Sequence, residues 1–258
     1  MALMEELLDL CTGRSESIPF RLIQPGKEAW PPLFIFCATA GEEAESEELC
    51  RYLDPARPVY LVRADPPGQW TPELLILTGE AAAHRARDLQ DRPPFLLAGL
   101  RDAGLVAFET AQTLAAEGLK VGLLALVETA CPNPAAPGRL ALPRGRILKE
   151  LDRRLGLRIM PGSRSYRGRS GRRKTSPAYQ NSVMERYRAR PYPGSITLIT
   201  ARLTPDRTAW NPRLRWSDVA MGGFEIVTYP GNGELEFSGQ TASDAGARLQ
   251  ACIDRSLR

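Results

Sequence analysis

Short apolar runs alternate along the chain with longer stretches whose apolar residues recur at helical spacing. Leu33 to Cys37 (LFIFC), Val59 to Val62, Phe95 to Gly99 (FLLAG), Val121 to Val127, Ile196 to Ala201 and Phe224 to Thr228 are the short runs. Runs of this length suit strands buried on both faces, as in a parallel sheet. Phe20 to Ile23 is a further extended run, closed by Pro25-Gly26. Between the runs, Glu42 to Leu53, Pro72 to Leu89, Leu105 to Glu117 and Ala242 to Leu257 read as helices, and Met4 to Cys11 as a short one at the start. Strand and helix in alternation predict an α/β fold: a mostly parallel central sheet with helices on both faces.

The rhythm stops between Val127 and Ile196. Pro132 to Pro143 reads as loop, while Arg144 to Leu155 and Tyr179 to Arg188 could be short helices. Pro161 to Pro177 (PGSRSYRGRSGRRKTSP) has almost no apolar residue to anchor it, and is expected to be mobile. Residues 133–189 are therefore expected to be a lid-like insertion within a single domain spanning 1–258, without a core of their own.

Charge sharpens this division. The chain of 258 residues has a net charge of +4, but 16 of its 34 Lys and Arg fall in residues 139–190 beside only 3 of its 30 acids. That segment carries +13 and the rest of the chain −9. Such a block suits a solvated face or an arm for an anionic partner. Five unpaired cysteines and a single histidine, His84, argue against a disulfide framework or a multi-histidine metal site, and no cofactor is implied. No apolar run reaches the roughly 18–20 residues of a membrane span. The acidic start MALMEELLDL does not resemble a signal peptide, so a cytoplasmic protein is expected.

The candidate chemistry lies at Phe95 to Thr113 (FLLAGLRDAGLVAFETAQT): buried strand, small-residue turn, helix. This is the setting of a nucleophile elbow. Here the chain resembles the thioesterase family of the α/β-hydrolase fold, the release domains of nonribosomal peptide and polyketide synthesis. Their elbow is typically G-x-S-x-G-G followed by an Ala-rich helix, much like Gly99 to Ala111. Four more segments resemble the family in order. PPLFIFCATAG (31–41) is similar to its first core strand and turn, and LLALVETACP (123–132) to the strand carrying its catalytic acid. RPYPGSITLITA (190–201) is similar to the strand after its lid, and GGFEIVTYPGNGE (222–234) to the strand and turn presenting its histidine.

The positions that matched the family's triad hold other residues. Arg101 stands at the serine, Glu128 at the acid and Gly233 at the histidine, while Cys37 and Ala38 replace the His-Gly pair of the first turn. A Ser-His-acid site needs a hydroxyl, a base and an orienting carboxylate. Arginine is permanently protonated and cannot attack, and glycine offers no base. No catalytic residue is therefore expected. Asp102 lies one position past the elbow, a shift that redirects its side chain and still leaves no base, and Cys37 near the site is expected to be a buried apolar residue at a strand end. Arg101 should need a buried counter-charge, for which Glu128 and then Asp102 are the candidates. Cys37, Ala38, Arg101, Asp102 and Glu128 would line the site as binding residues.

The run GRSGRRKT (168–175) superficially suggests a phosphate-binding loop, but Arg173 precedes Lys174 where glycine is required, and no strand leads in. Arg164, Arg167, Arg169, Arg172, Arg173 and Lys174 carry the charge of this segment. With Tyr166 almost alone as an aromatic, base stacking and nucleic acid are not suggested. The resemblance implies an acyl- or peptidyl-carrier protein, or another acidic protein, as partner. The expected function is that of a thioesterase-like pseudoenzyme with a binding or assembly role. The alternatives are an active thioesterase, acyl hydrolase or acyltransferase with a non-standard site, and a purely structural, oligomer-forming protein.

Overall fold

The computed structural model describes residues 18–64, 70–132, 186–201, 212–230 and 239–258. Seven strands form one sheet: β1 (Phe20–Gln24), β2 (Leu33–Cys37), β3 (Val59–Arg63), β4 (Phe95–Leu100), β5 (Val121–Val127), β6 (Ser195–Ala201) and β7 (Gly223–Tyr229). Their order across the sheet is β1-β3-β2-β4-β5-β6-β7. All neighbours pair in parallel except β1, which runs antiparallel to β3. All residues of β2 and β4 are buried, as their unbroken apolar runs require of inner strands.

Among the described residues, four helices cover the sheet: α1 (Ala40–Cys50), α2 (Pro72–Leu89), α3 (Gly104–Ala116) and α4 (Gln240–Ser256). Alternate strand residues split the core into two layers. Phe34, Phe36, Leu97 and Leu124 pack with Leu75 of α2 and Val106 and Phe108 of α3. Leu33, Ile35, Leu96 and Ala98 face the other way, onto Leu49 of α1 and Ala245 and Leu249 of α4. Gly79 lets α2 and α3 approach closely, since a Cβ there would overlap Glu109. Two threonines start their helices. Thr39 Oγ1 accepts from Glu42 N–H, and Thr71 Oγ1 from Leu74 N–H, both at 3.2 Å.

The path of the chain creates a topological switch point. From β2 it crosses through α1 on one face to β3, then returns through α2 on the opposite face to β4, on the other side of β2. Crossovers leaving to opposite faces part at the carboxyl ends of β2 and β4, where ligands of open α/β sheets bind.

The predicted strands and helices within the described residues are all present, with ends shifted by up to three residues. The extended run Phe20 to Ile23 is β1, whose antiparallel pairing was not foreseen, and the short 3-10 helix Pro212–Asp218 is an addition. The short helix at Met4 to Cys11 and nearly all of the insertion lie outside the described residues. Of the insertion, residues 186–189 are described; Tyr187 and Ala189 are buried.

Candidate functional site

The carboxyl end of β4 turns sharply into α3. Gly99 permits this, because a Cβ there would overlap Gly104 Cα and stand 2.9 Å from Ala107 Cβ. A Cβ on Gly104 would collide with the side chain of Thr129. At the apex, Arg101 has φ 46°, a left-handed conformation that few non-glycine residues adopt. A strained apex between strand and helix is the backbone of a nucleophile elbow. Here it presents a guanidinium.

That guanidinium is directed at α1. Arg101 Nη1 pairs with Glu45 Oε2 and lies 3.9 Å from Glu42 Oε1, with only 9% of the Arg101 side chain exposed. Glu42 is likewise 7% exposed, and its Oε2 accepts the Ala38 N–H at 2.7 Å. Ala38 immediately follows β2, the neighbour of β4. In an elbow of this kind, one oxyanion donor comes from the residue after the apex and another from a loop beside it. The Ala38 amide lies at the carboxyl end of the strand beside the elbow, and a carboxylate of the same chain occupies it. Burial pushes the Glu42 carboxyl up to about 7. The Ala38 hydrogen bond and Arg101 oppose the rise, while the charges of Asp102 and Glu45 add to it.

The sequence offered Glu128 and Asp102 as counter-charges for Arg101. The ion pairs described lead to Glu42 and Glu45, acids of the helix predicted over Glu42 to Leu53. The signal was their i, i+3 spacing, which places both on one helix face, next to a turn that adjoins the elbow. Glu128, at the end of β5, also has positive φ, 55°, and is 3% exposed. Its Oε1 accepts from Ala201 N–H at 2.5 Å, Tyr229 Oη at 2.8 Å and Thr200 Oγ1 at 3.2 Å. This carboxylate ties the ends of β5, β6 and β7 together. Asp102 is half-buried beside the cluster and acts on Glu42 through its charge.

Cys37 is fully buried, with Sγ 3.7 Å from Val62 O, and its thiol is pushed up to about 12, first by burial and then by Glu42 and Glu43. It is a packing residue rather than a nucleophile at neutral pH. His84 lies exposed on α2. Gly233 and the basic residues Arg164, Arg167, Arg169, Arg172, Arg173 and Lys174 lie outside the described residues.

A second polar cluster was not anticipated. Glu109, 1% exposed on α3, accepts from Tyr187 Oη and from Arg190 Nη2, the latter at 2.9 Å. Gln112 donates to the carbonyls of Arg190 and Pro191 at 3.0 and 3.2 Å. The chain re-entering from the insertion is thereby fixed to the helix that follows the elbow. Burial and the charge of Glu109 raise the Tyr187 hydroxyl well above the usual tyrosine range.

No family model matches the chain, and no curated protein sequence matches it. Solved structures do. The NocB thioesterase domain from the nocardicin cluster superposes with a TM-score of 0.58 at 22% identity, covering 92% of this chain and 98% of that one. The thioesterase domain SrfTE, which cyclises the lipopeptide antibiotic surfactin, gives 0.57 at 15% identity over 91% and 95%. The chain has the α/β-hydrolase fold of thioesterase domains. It also matches 20% of the four-domain nonribosomal peptide synthetase AB3403, covering 92% of this chain with a TM-score of 0.59 at 16% identity. In this thioesterase-type fold, Arg101 is the apex of the elbow and Glu128 closes the strand beside it.

Proposed function

We propose that this thioesterase-like protein no longer catalyses acyl transfer and acts by binding, with an acyl- or peptidyl-carrier protein or another acidic protein of the cytoplasm as partner. The observation that carries the reading is Arg101 at the elbow's apex, buried and ion-paired with Glu42 and Glu45. A guanidinium has no lone pair to offer a thioester, and its carboxylate partners crowd the neighbouring amide. The glycine at the histidine position and the basic block at 161–177 support the same reading from the sequence.

Two measurements test it. Incubation with acyl-N-acetylcysteamine thioesters should give hydrolysis no faster than buffer, and robust turnover surviving repurification would overturn the loss of catalysis. Titration with an acyl-carrier protein should show binding that weakens steeply with salt. Replacing the six basic residues from Arg164 to Lys174 by Ser and Gln should weaken that binding; binding indifferent to both would remove the basic block from recognition.

One observation favours a second reading, an active hydrolase with a non-standard site. A buried carboxyl titrating near 7, as Glu42 does, suits a general base. Turnover lost in Glu42→Gln, with the fold intact, would establish it.

A further inference from the structure

We infer that the segment from Arg186 to Pro193, with Met221 beside it, is a docking face for an acidic helix of a partner protein: a row of arginines next to one apolar side chain held out in solvent. Exposure alternates along the segment. Tyr187, Ala189 and Tyr192 are buried, while Arg186, Arg188, Arg190, Pro191 and Pro193 are exposed. From Tyr187 to Arg190 the period of two is that of an extended chain, and it leaves the arginines on the outside. The prolines favour the same course, because a residue before proline is pushed out of the helical region, here Arg190 and Tyr192.

The segment is fixed along its length. Tyr187 donates to buried Glu109 of α3, and Gln112 donates to the carbonyls of Arg190 and Pro191. Tyr192 N–H donates to Val219 O at 2.9 Å, and its carbonyl accepts from Met221 N–H at 2.8 Å. The Tyr192 ring packs edge-on against Phe108, with centroids 5.9 Å apart. Gly222 lies backbone against backbone on Pro193 and Gly194, a contact that a Cβ would prevent. Met221 is therefore presented by a bonded, close-packed bend. It is nevertheless 67% exposed, more than any other large apolar residue among those described. Gly222 and Gly223, both exposed, put no side chain beside it. A methionine on a backbone already fixed loses little freedom on docking and gains by burial.

The charge names the partner. Alternate residues of an extended chain lie about 6.5–7 Å apart, and residues at i and i+4 of a helix are separated by about 6 Å along its axis. Successive arginines thus match carboxylates one turn apart on a partner helix, with an apolar residue of that helix against Met221. Arg190 gives one nitrogen to Glu109 at 2.9 Å, yet 61% of its side chain is exposed. The charge of Arg186 reaches Glu73 in the first turn of α2. Single-stranded nucleic acid fits this face poorly, since Tyr187 and Tyr192 are both buried and offer no ring for stacking. The inference deepens the binding reading: it rests on that reading for an acidic protein as partner and adds the surface that holds it.

The test uses two probes, an acyl-carrier protein and a helical peptide in which one leucine is flanked by glutamates four residues away on either side. Each is titrated against the native full chain, Arg186→Gln/Arg188→Gln and Met221→Ser. The replaced side chains are exposed, so Tm should stay within about 2 °C of native. The double arginine variant should bind both probes about tenfold more weakly at about 50 mM salt, with a shallower salt dependence. Met221→Ser should weaken binding about fivefold and leave the salt dependence unchanged. A peptide with glutamine in place of glutamate should not bind. Carrier binding that both variants retain overturns the docking face and leaves the acidic partner standing. Peptide binding through this face without carrier binding supports the face and removes the carrier protein alone. Binding of neither probe overturns the face. Self-association of the native chain that Met221→Ser abolishes overturns it in favour of a second copy, and binding to phosphatidylserine vesicles lost in the same variant overturns it in favour of a membrane surface.

Discussion

Two buried glutamates lie along the carboxyl edge of the sheet and are held in opposite ways. Among the described contacts, Glu128 receives one amide and two hydroxyls, from β6 and β7, all converging on a single oxygen. Glu42 receives one amide and shares a cation with Glu45, while Asp102 adds a further negative charge. Their burial is nearly the same, 3% and 7%. Burial alone therefore does not set a carboxylate's role. Neutral donors in number make Glu128 a fastener of three strand ends, whereas burial with few donors, and Asp102 and Glu45 nearby, make the charge of Glu42 costly.

The comparison is broken most severely by removing the fastener. Glu128→Ala leaves a buried amide and two hydroxyls without their acceptor. At about 1–3 kcal/mol for each unsatisfied group, partly relieved by rotation of the hydroxyls, the loss should be about 3–5 kcal/mol in urea unfolding. A loss under about 1 kcal/mol would mean that the three donors find water or other acceptors, and that Glu128 fastens nothing.

Glu109 tests whether a fastener can be recognised away from the sheet edge. Its partners differ in exposure: Tyr187 is 2% exposed, while the Arg190 side chain is 61% exposed and regains water when released. Glu109→Ala should therefore cost about 2 kcal/mol, nearly all through the stranded Tyr187 hydroxyl. A double-mutant cycle with Tyr187→Phe should assign most of the cost to that pair. Additive losses would show that the hydroxyl contributes nothing and that Glu109 acts through packing or through Gln112's neighbourhood on α3.

How far such roles could be read in advance depends on what carries them. The strands were legible because fully buried strands are unbroken apolar runs, as in LFIFC and FLLAG. The elbow was legible because Gly99 and Gly104 mark close approach of strand and helix. The antiparallel β1 was not, since its edge position follows from which strand it pairs with and not from its own residues. The helix Pro212–Asp218 was missed because Trp216, buried against Phe108 with ring centroids 4.9 Å apart, stands alone without a periodic apolar pattern. Glu42 and Glu45 were visible as acids of a predicted helix, with nothing in the sequence to link them to Arg101. Acids in a first helical turn have a ready explanation in the helix dipole, and only the order β3-β2-β4 brings them beside Arg101. Glu109 was hidden because an acid in an amphipathic helix, as Leu105 to Glu117 reads, passes for part of the solvated face.

The charge of Glu42 gives an effect of opposite sign to the two losses. Its carboxyl is raised to about 7 in the fold from an ordinary value of 4.5. The folded state thus binds the proton more tightly than the unfolded chain. The stability this confers is full below 4.5, is lost as pH rises toward 7, and stays lost above it. Glu42→Gln keeps an acceptor for the Ala38 amide, leaves Glu45 on Arg101 and removes the titration. The variant should be more stable than the native protein by about 2 kcal/mol at pH 8, with the gap shrinking as pH falls from 7 to 4.5. Urea unfolding at half-unit pH steps measures this. A gap that is constant with pH, or a native protein that is the more stable at pH 8, would place Glu42 with Glu128 among the fasteners.

Cys37 gives the smallest effect and bears on what the elbow region can do chemically. It ends β2, directly before Ala38, and a thiol so near the elbow is the remaining candidate for a nucleophile. Its surroundings oppose that role: burial comes first, and the charges of Glu42 and Glu43 outweigh the help of Arg63 and Arg21, leaving the thiol near 12. At pH 8 the thiolate fraction in the folded state is about one in ten thousand, four units below the pKa. Iodoacetamide should therefore leave Cys37 unmodified in the native protein over a period that labels it fully in urea, as peptide mass spectrometry would show. Cys37→Ala should cost about 1 kcal/mol, the loss of one small apolar group from a packed strand end, with no change in thioester turnover above background. Rapid native labelling at Cys37, or turnover that disappears with Cys37→Ala, would transfer the chemistry of this site from the Arg101 cluster to the thiol beside it.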